Sequence, residues 1–186
     1  MPKITELEKT VLQYDKVMDQ CQSIFELKTK DYGTAWRILR PSSLTDQIFI
    51  KASRIRSIQE KKTKKVDEGV DNEFIGIINY SIMAMIQLAD PPTEGAYDIS
   101  AEKAGEHYLH FRKQTKQLML DKNHDYGEAW RDMRISSITD LILMKLLRIK
   151  QIEENDGQTL ISEGLKANYQ DMLNYAVFAM IMLSEN

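Results

Sequence analysis

Apolar residues return at helical spacing along almost the whole chain. Leu7, Val11, Tyr14, Met18, Cys21 and Phe25 mark one face of a helix from about Thr5 to Lys30, closed by Gly33. Leu44, Ile48, Ile55 and Ile58 mark a second, which the pattern Ser43-x-x-Asp46 predicts to start after Ser43 as a capping box. A third runs from about Asp71 to Ala89, is rich in Ile and Met, and is stopped by Pro91-Pro92. The same sequence of three helices then returns, ending in a segment from about Leu165 to Ser184 that is again apolar on most sides. Such all-round apolar helices belong at the centre of a bundle.

The return is a duplication. Lys28-Thr29-Lys30-Asp31-Tyr32-Gly33-Thr34-Ala35-Trp36-Arg37 reappears as Lys122-Asn123-His124-Asp125-Tyr126-Gly127-Glu128-Ala129-Trp130-Arg131, and residues 28–59 share 17 of 32 positions with 122–153. After a one-residue insertion, Glu68-Gly69 aligns with Glu163-Gly164 and Asn79-Tyr80 with Asn174-Tyr175. The expected architecture is all-α: two three-helix units, 1–90 and 99–186, joined by a turn-rich linker at 91–98. They are expected to share one core as a pseudo-twofold bundle.

Composition narrows the class. Hydrophobic residues make up 42% of the 186, enough for a core, while 8 Gly and 4 Pro argue against a many-turned all-β chain. A single cysteine, Cys21, excludes an internal disulfide and reads as a small core residue. With 25 basic against 28 acidic residues, no global attraction to nucleic acid is expected. The Lys61-Lys62-Thr63-Lys64-Lys65 run is replaced in the second copy by Asn155-Asp156-Gly157-Gln158, so a solvated loop is expected there. The chain turns charged at once after Met1-Pro2, and its longest apolar stretch, Tyr175 to Leu183, is too short to span a bilayer. A cytoplasmic protein with no membrane association is expected.

The repeated polar residues carry the candidate chemistry. Lys28, Asp31, Tyr32, Trp36 and Arg37, with Lys122, Asp125, Tyr126, Trp130 and Arg131, combine cations, carboxylates and aromatics near a helix end. Such a set suits a phosphorylated aromatic ligand: Arg37 or Lys28 on phosphate, Trp36 or Tyr32 on a base, Asp31 on a sugar hydroxyl or a metal. Against this stand local ion pairing of Asp31 with Lys28 and burial of both tryptophans as core. Lys51 and Arg54, like Lys145 and Arg148, lie three apart on one helix face and can clamp an anion. Asp46 and Asp140 sit where an N3 carboxylate would cap a helix.

Asn79 and Asn174 interrupt apolar helices and must find partners there, either between helices or on a ligand. Asp171, three residues before Asn174, has no counterpart in the first copy, where Gly76 stands. It shares a face with Asn174 and, with Glu163 or Asp125, could coordinate a divalent cation. His107 and His110 have the spacing of a metal pair but no third ligand nearby, and a surface pair is expected.

These residues resemble the nucleotide modification-associated domain 1 family of small helical domains. The resemblance rests on Lys28-Asp31-Tyr32-Gly33-Trp36-Lys51-Arg54-Ile55 and Lys122-Asp125-Tyr126-Gly127-Trp130-Lys145-Arg148-Ile149, completed by Asp171-Asn174-Tyr175-Ala176. It covers nearly the whole chain as two tandem domains and implies a role in handling nucleotides or modified bases. A looser likeness, to the MazG-type all-α nucleoside triphosphate pyrophosphohydrolases, lacks their Glu-x-x-Glu and Glu-x-x-Asp motifs.

Two functional readings follow. In the first, a nucleotide binder or pyrophosphohydrolase, magnesium bridges a phosphate chain to Asp125, Asp140 and Asp171 while Lys145 and Arg148 neutralise charge and Trp130 or Tyr126 lies against the base. Any chemistry there is attack of metal-bound water on a phosphoanhydride. In the second, the polar set only caps and registers the bundle, and an exposed helix face binds a protein partner or a second subunit.

Overall fold

A computed structural model describes residues 5–62, 69–156 and 164–185. Six helices account for most of them: α1 (Glu6–Tyr32), α2 (Pro41–Lys61), α3 (Val70–Ala89), α4 (Ala101–Tyr126), α5 (Ile135–Glu154) and α6 (Leu165–Glu185). A short 3₁₀ turn, Ala35–Ile38 or Ala129–Asp132, follows the first helix of each repeat, and no strand occurs among the described residues. Glu68 and Glu163, and most of the lysine run, lie outside the described residues.

Local chemistry explains most helix ends. Thr5 and Glu8 form a reciprocal capping box at the start of α1, and Ser100 caps α4. Gly33 and Gly127 each take φ of 63° just past α1 and α4, a left-handed value that glycine adopts without a Cβ penalty. The expected start of α2 needs correction. Pro41 occupies its first position, where a missing N–H costs nothing and a fixed φ suits a helix. Asp46 and Asp140 therefore lie beyond the first turn and cap nothing. They instead form ion pairs across the two repeats, Asp46 with Lys150 at 2.9 Å and Asp140 with Arg56 at 3.5 Å.

The second and third helices of both repeats form the centre. α2 packs on α3 and α5, α6 packs on α3 and α5, and one contiguous apolar core runs through all of them. α3 and α6 are buried over most of their circumference, as their composition requires. α1 and α4 reach across the repeat boundary: α1 touches α6 and α4 as well as α3, and α4 touches α3, α6 and α1.

Two asparagines fix this crossing. The Asn79 amide donates to the Cys21 carbonyl at 3.0 Å and accepts from the Tyr108 hydroxyl at 2.8 Å. Asn174 donates to the Thr115 carbonyl at 3.2 Å and accepts from the Tyr14 hydroxyl at 2.9 Å. Each asparagine thus holds its own repeat's first helix by backbone and the other repeat's by a buried phenol. Burial raises the pKa of both phenols, which remain donors. The Cys21 thiol beside them is pushed up to about 12 by burial and is not a nucleophile at neutral pH.

Asn174→Leu is expected to leave the Tyr14 hydroxyl unsatisfied and to cost about 1–3 kcal/mol in chemical denaturation, with Tyr14→Phe recovering part of the loss in the double variant.

A second polar seam joins α2 to α5. The Thr45 hydroxyl donates to the Glu153 carboxylate at 2.9 Å and lies 2.6 Å from the Tyr169 hydroxyl. At the equivalent place Gln59 donates to Thr139 at 3.1 Å. Burial holds the Glu153 carboxyl above its ordinary 4.5, so its protonated form favours the folded chain. That contribution is complete below pH 4.5 and is lost as pH rises through the folded value. Glu153→Gln, which imitates Gln59, is therefore expected to raise Tm at pH 7, with the advantage vanishing below pH 4.5; paired thermal melts at the two pH values check it.

Candidate functional site

Each repeat builds a hollow from equivalent positions: the end of its first helix, the following 3₁₀ turn, one face of the second helix and the inner face of the third. The second-repeat hollow has a volume of about 880 Å³ and the first-repeat hollow about 470 Å³. Lys122, Tyr126, Trp130, Lys145, Arg148, Asp171 and Asn174 line the larger; Lys28, Tyr32, Trp36, Lys51 and Asn79 line the smaller. Twelve of the expected site residues are thus gathered into two places.

In the larger hollow the organising group is the Asp171 carboxylate, only 7% exposed. Lys122 of α4 reaches one oxygen at 2.5 Å and Lys145 of α5 the other at 2.8 Å. Charge-assisted bonds of this kind are short because both partners are ionised. Asp171 thereby draws α4 and α5 onto α6. Arg148 brings a third cation to the same wall.

The aromatic wall differs from expectation. Phe178 stacks on the Trp130 ring at 4.2 Å and the Arg131 guanidinium lies over it at 4.3 Å. Covered by these two groups, Trp130 offers no face to a flat ligand. Tyr126, 77% exposed at the rim, and Tyr175 remain as the aromatic groups able to stack. The indole N–H of Trp130, and that of Trp36 in the other hollow, is buried without an acceptor.

Other expected site residues do different work. Arg37 is fully buried, with its guanidinium held bidentate by Asp98 at 2.8 Å and by Gln87 and the Asp90 carbonyl. It anchors the 91–98 linker, not a ligand. Arg131 is likewise engaged with Glu128, Thr10, Gln13 and Glu185, which ties the second 3₁₀ turn to α1 and the end of α6. Arg54 does not line a hollow; it sits on Glu73. Asn79 and Asn174 reach the hollows, but their amides are spent between helices.

The metal set does not assemble. Asp125 is exposed beside His124, Asp140 pairs with Arg56, and neither lines the hollow that holds Asp171. Asp31 is also exposed and outside its hollow. Among the described residues no group of three His, Cys, Asp or Glu is placed to hold a metal ion. A single carboxylate already carrying two ammonium groups does not fit the several oxygen ligands a magnesium ion on a phosphate chain requires. His107 rests on Asp90 and His110 on Gln114, as a surface pair.

Glu73 is the residue that the sequence reading missed. It lies three positions before Gly76, on the same face of α3, where the second repeat has Asn168 three before Asp171. Lys51 reaches it at 3.3 Å and Arg54 closer still. Each hollow therefore holds one carboxylate on its third helix, displaced by one turn between the repeats. The i,i+3 spacing was the available signal.

The chain is an all-α protein with an aromatic and cationic hollow built twice from one motif. It belongs to the nucleotide modification associated domain 1 family, whose sequence model matches residues 28–88 and 122–183. No curated protein and no solved structure matches it. Among the described residues no helix is long and apolar enough to cross a membrane.

Arg37→Ala is expected to lower the unfolding free energy by about 3–5 kcal/mol, because it strands the buried Asp98 carboxylate. Thermal unfolding checks this.

Proposed function

We propose that the second-repeat hollow binds a nucleotide or a nucleotide-derived small molecule. The observation that carries the reading is the Lys122–Asp171–Lys145 bridge, with Arg148 beside it, at the base of a cavity edged by Tyr126 and Tyr175. A phosphate takes its place among ammonium and guanidinium groups held in position before it arrives, so little side-chain ordering has to be repaid on binding. Stacking on tyrosine suits a base of any identity, since every base has a π-face. The family name, nucleotide modification associated, points to the same ligand class.

The reading is of binding without a bridging metal. Asp125, Asp140 and Asp171, the carboxylates that would have to share a magnesium ion, stand in three separate places. Lys145 and Arg148 take the phosphate, Lys122 and Asp171 set the position of Lys145, and the tyrosines bracket the ring.

Thermal melts against a nucleotide panel, with magnesium or with a chelator, test this. A ligand at 100 times its Kd adds about 2.7 kcal/mol, roughly 5–10 °C in Tm for a chain of this size. The shift is expected in both buffers and is expected to disappear in Lys145→Ala. A panel that moves Tm in neither buffer sinks the reading; a shift that requires magnesium sinks its metal-free form.

A further inference from the structure

The two hollows descend from one motif, yet their interiors have diverged in a directed way. In the first, Lys51 lies where the second repeat puts the Asp171 side chain: a Cβ on Gly76 would come within 2.4 Å of its Cε. From there Lys51 reaches Glu73, which also takes Arg54 and is only 6% exposed. Both members of the i,i+3 cation pair thus meet one internal carboxylate in the first repeat, whereas in the second Arg148 lines the hollow. Lys28 remains at the mouth, where it is exposed and screened by solvent.

The rim differs as well. The Tyr97 ring of the linker lies 3.1 Å from where a Cβ on Gly33 would stand, while the space over Gly127 is open. Arg37 and Asp98 hold that linker down from behind. A covered rim and a filled floor agree with a cavity of about 470 Å³ against 880 Å³.

What the smaller hollow offers is a flat aromatic lining, Phe25, Trp36 and Tyr80, beside a buried Glu73 carboxylate that Lys51 and Arg54 already hold. With Lys51 and Arg54 both turned onto Glu73, no cation pair is presented to a phosphate, and an aromatic lining in about half the volume suits an uncharged ring. We infer that the first-repeat hollow is a second site, for a phosphate-free nucleobase or nucleoside, distinct in ligand charge from the nucleotide hollow of the second repeat. This rests on the nucleotide reading of the second hollow only for the contrast between the two.

The chain has two tryptophans, one in each hollow, so each site can be read separately by fluorescence. Trp130→Phe leaves Trp36 as the reporter of the first hollow, and Trp36→Phe leaves Trp130 as the reporter of the second. Nucleosides and their 5′-monophosphates are titrated into both variants. Trp36 emission is expected to respond to a nucleoside at concentrations at least about tenfold below those its monophosphate needs, with the opposite order at Trp130. Glu73→Gln is expected to reverse the preference at Trp36. Silence of Trp36 to every nucleoside, or equal affinity for the monophosphate, overturns the inference. A silent Trp130 with a responsive Trp36 overturns only the nucleotide reading. In the unaltered chain, calorimetric titration of nucleoside into protein saturated with monophosphate is expected to keep its heat; competition between the two overturns the inference whether or not the variants fold.

Discussion

The structure depends on two asparagine side chains placed inside helices that are otherwise almost wholly apolar. An amide has one end that gives and one that accepts, and in Asn79 and Asn174 the two ends serve different repeats. In a core of this kind an unpaired amide is costly, so each third helix can settle only where a carbonyl and a phenol meet it together. Apolar packing alone, on helices greasy on most sides, would tolerate many rotations and slides. The asparagines select one, and with it the height at which α1 and α4 cross the bundle.

That choice of height sets the hollows. Tyr80 and Tyr175 directly follow the asparagines, and the carboxylate positions lie one and two turns before them. Once the amide is locked, the wall facing the second helix is locked as well, and Lys51 or Lys145 meets whatever carboxylate that wall presents. A ligand arriving at either hollow therefore finds groups whose backbone positions have already been fixed by bonds it does not share. The arginines of the repeated motif extend this from the other side, since Arg37 and Arg131 fasten the 3₁₀ turns that carry Trp36 and Trp130.

Most of the fold could be read in the sequence because helical periodicity and the repeat report the same thing independently. The apolar spacing and the repeat together account for all six helices. The start of α2 differs from expectation because the Ser43-x-x-Asp46 pattern imitates a cap, whereas Pro41 begins the helix. The site was legible as a set of residue types but not as a division of labour. Lys145 and Asp171 sit where a ligand can reach them; Arg37, equally repeated and equally basic, is buried. No local pattern separates the two, because Arg37 owes its burial to Asp98 and Gln87, 61 and 50 positions away. Glu73 is hidden for a related reason: between the copies the carboxylate is kept while its position is not, Glu73 standing opposite Asn168 and Gly76 opposite Asp171.

That displacement shows how a duplicated site can change ligand without losing its fold. Residues three apart on a helix share a face, so moving a carboxylate from the Asp171 position to the Glu73 position leaves it against the same neighbouring helix. The longer glutamate side chain and the bare backbone at Gly76 let Lys51 fold back along the wall and still find an anion. In the second repeat the same lysine position shares its carboxylate with Lys122 from another helix, and Arg148 faces the hollow. Both arrangements satisfy the requirement that a buried carboxylate be paired, so neither weakens the bundle. They differ in which cations are turned toward an incoming molecule. A one-turn move on α3 thus alters the electrostatics of the hollow while the amide that fixes the helix, one turn further along, is left untouched.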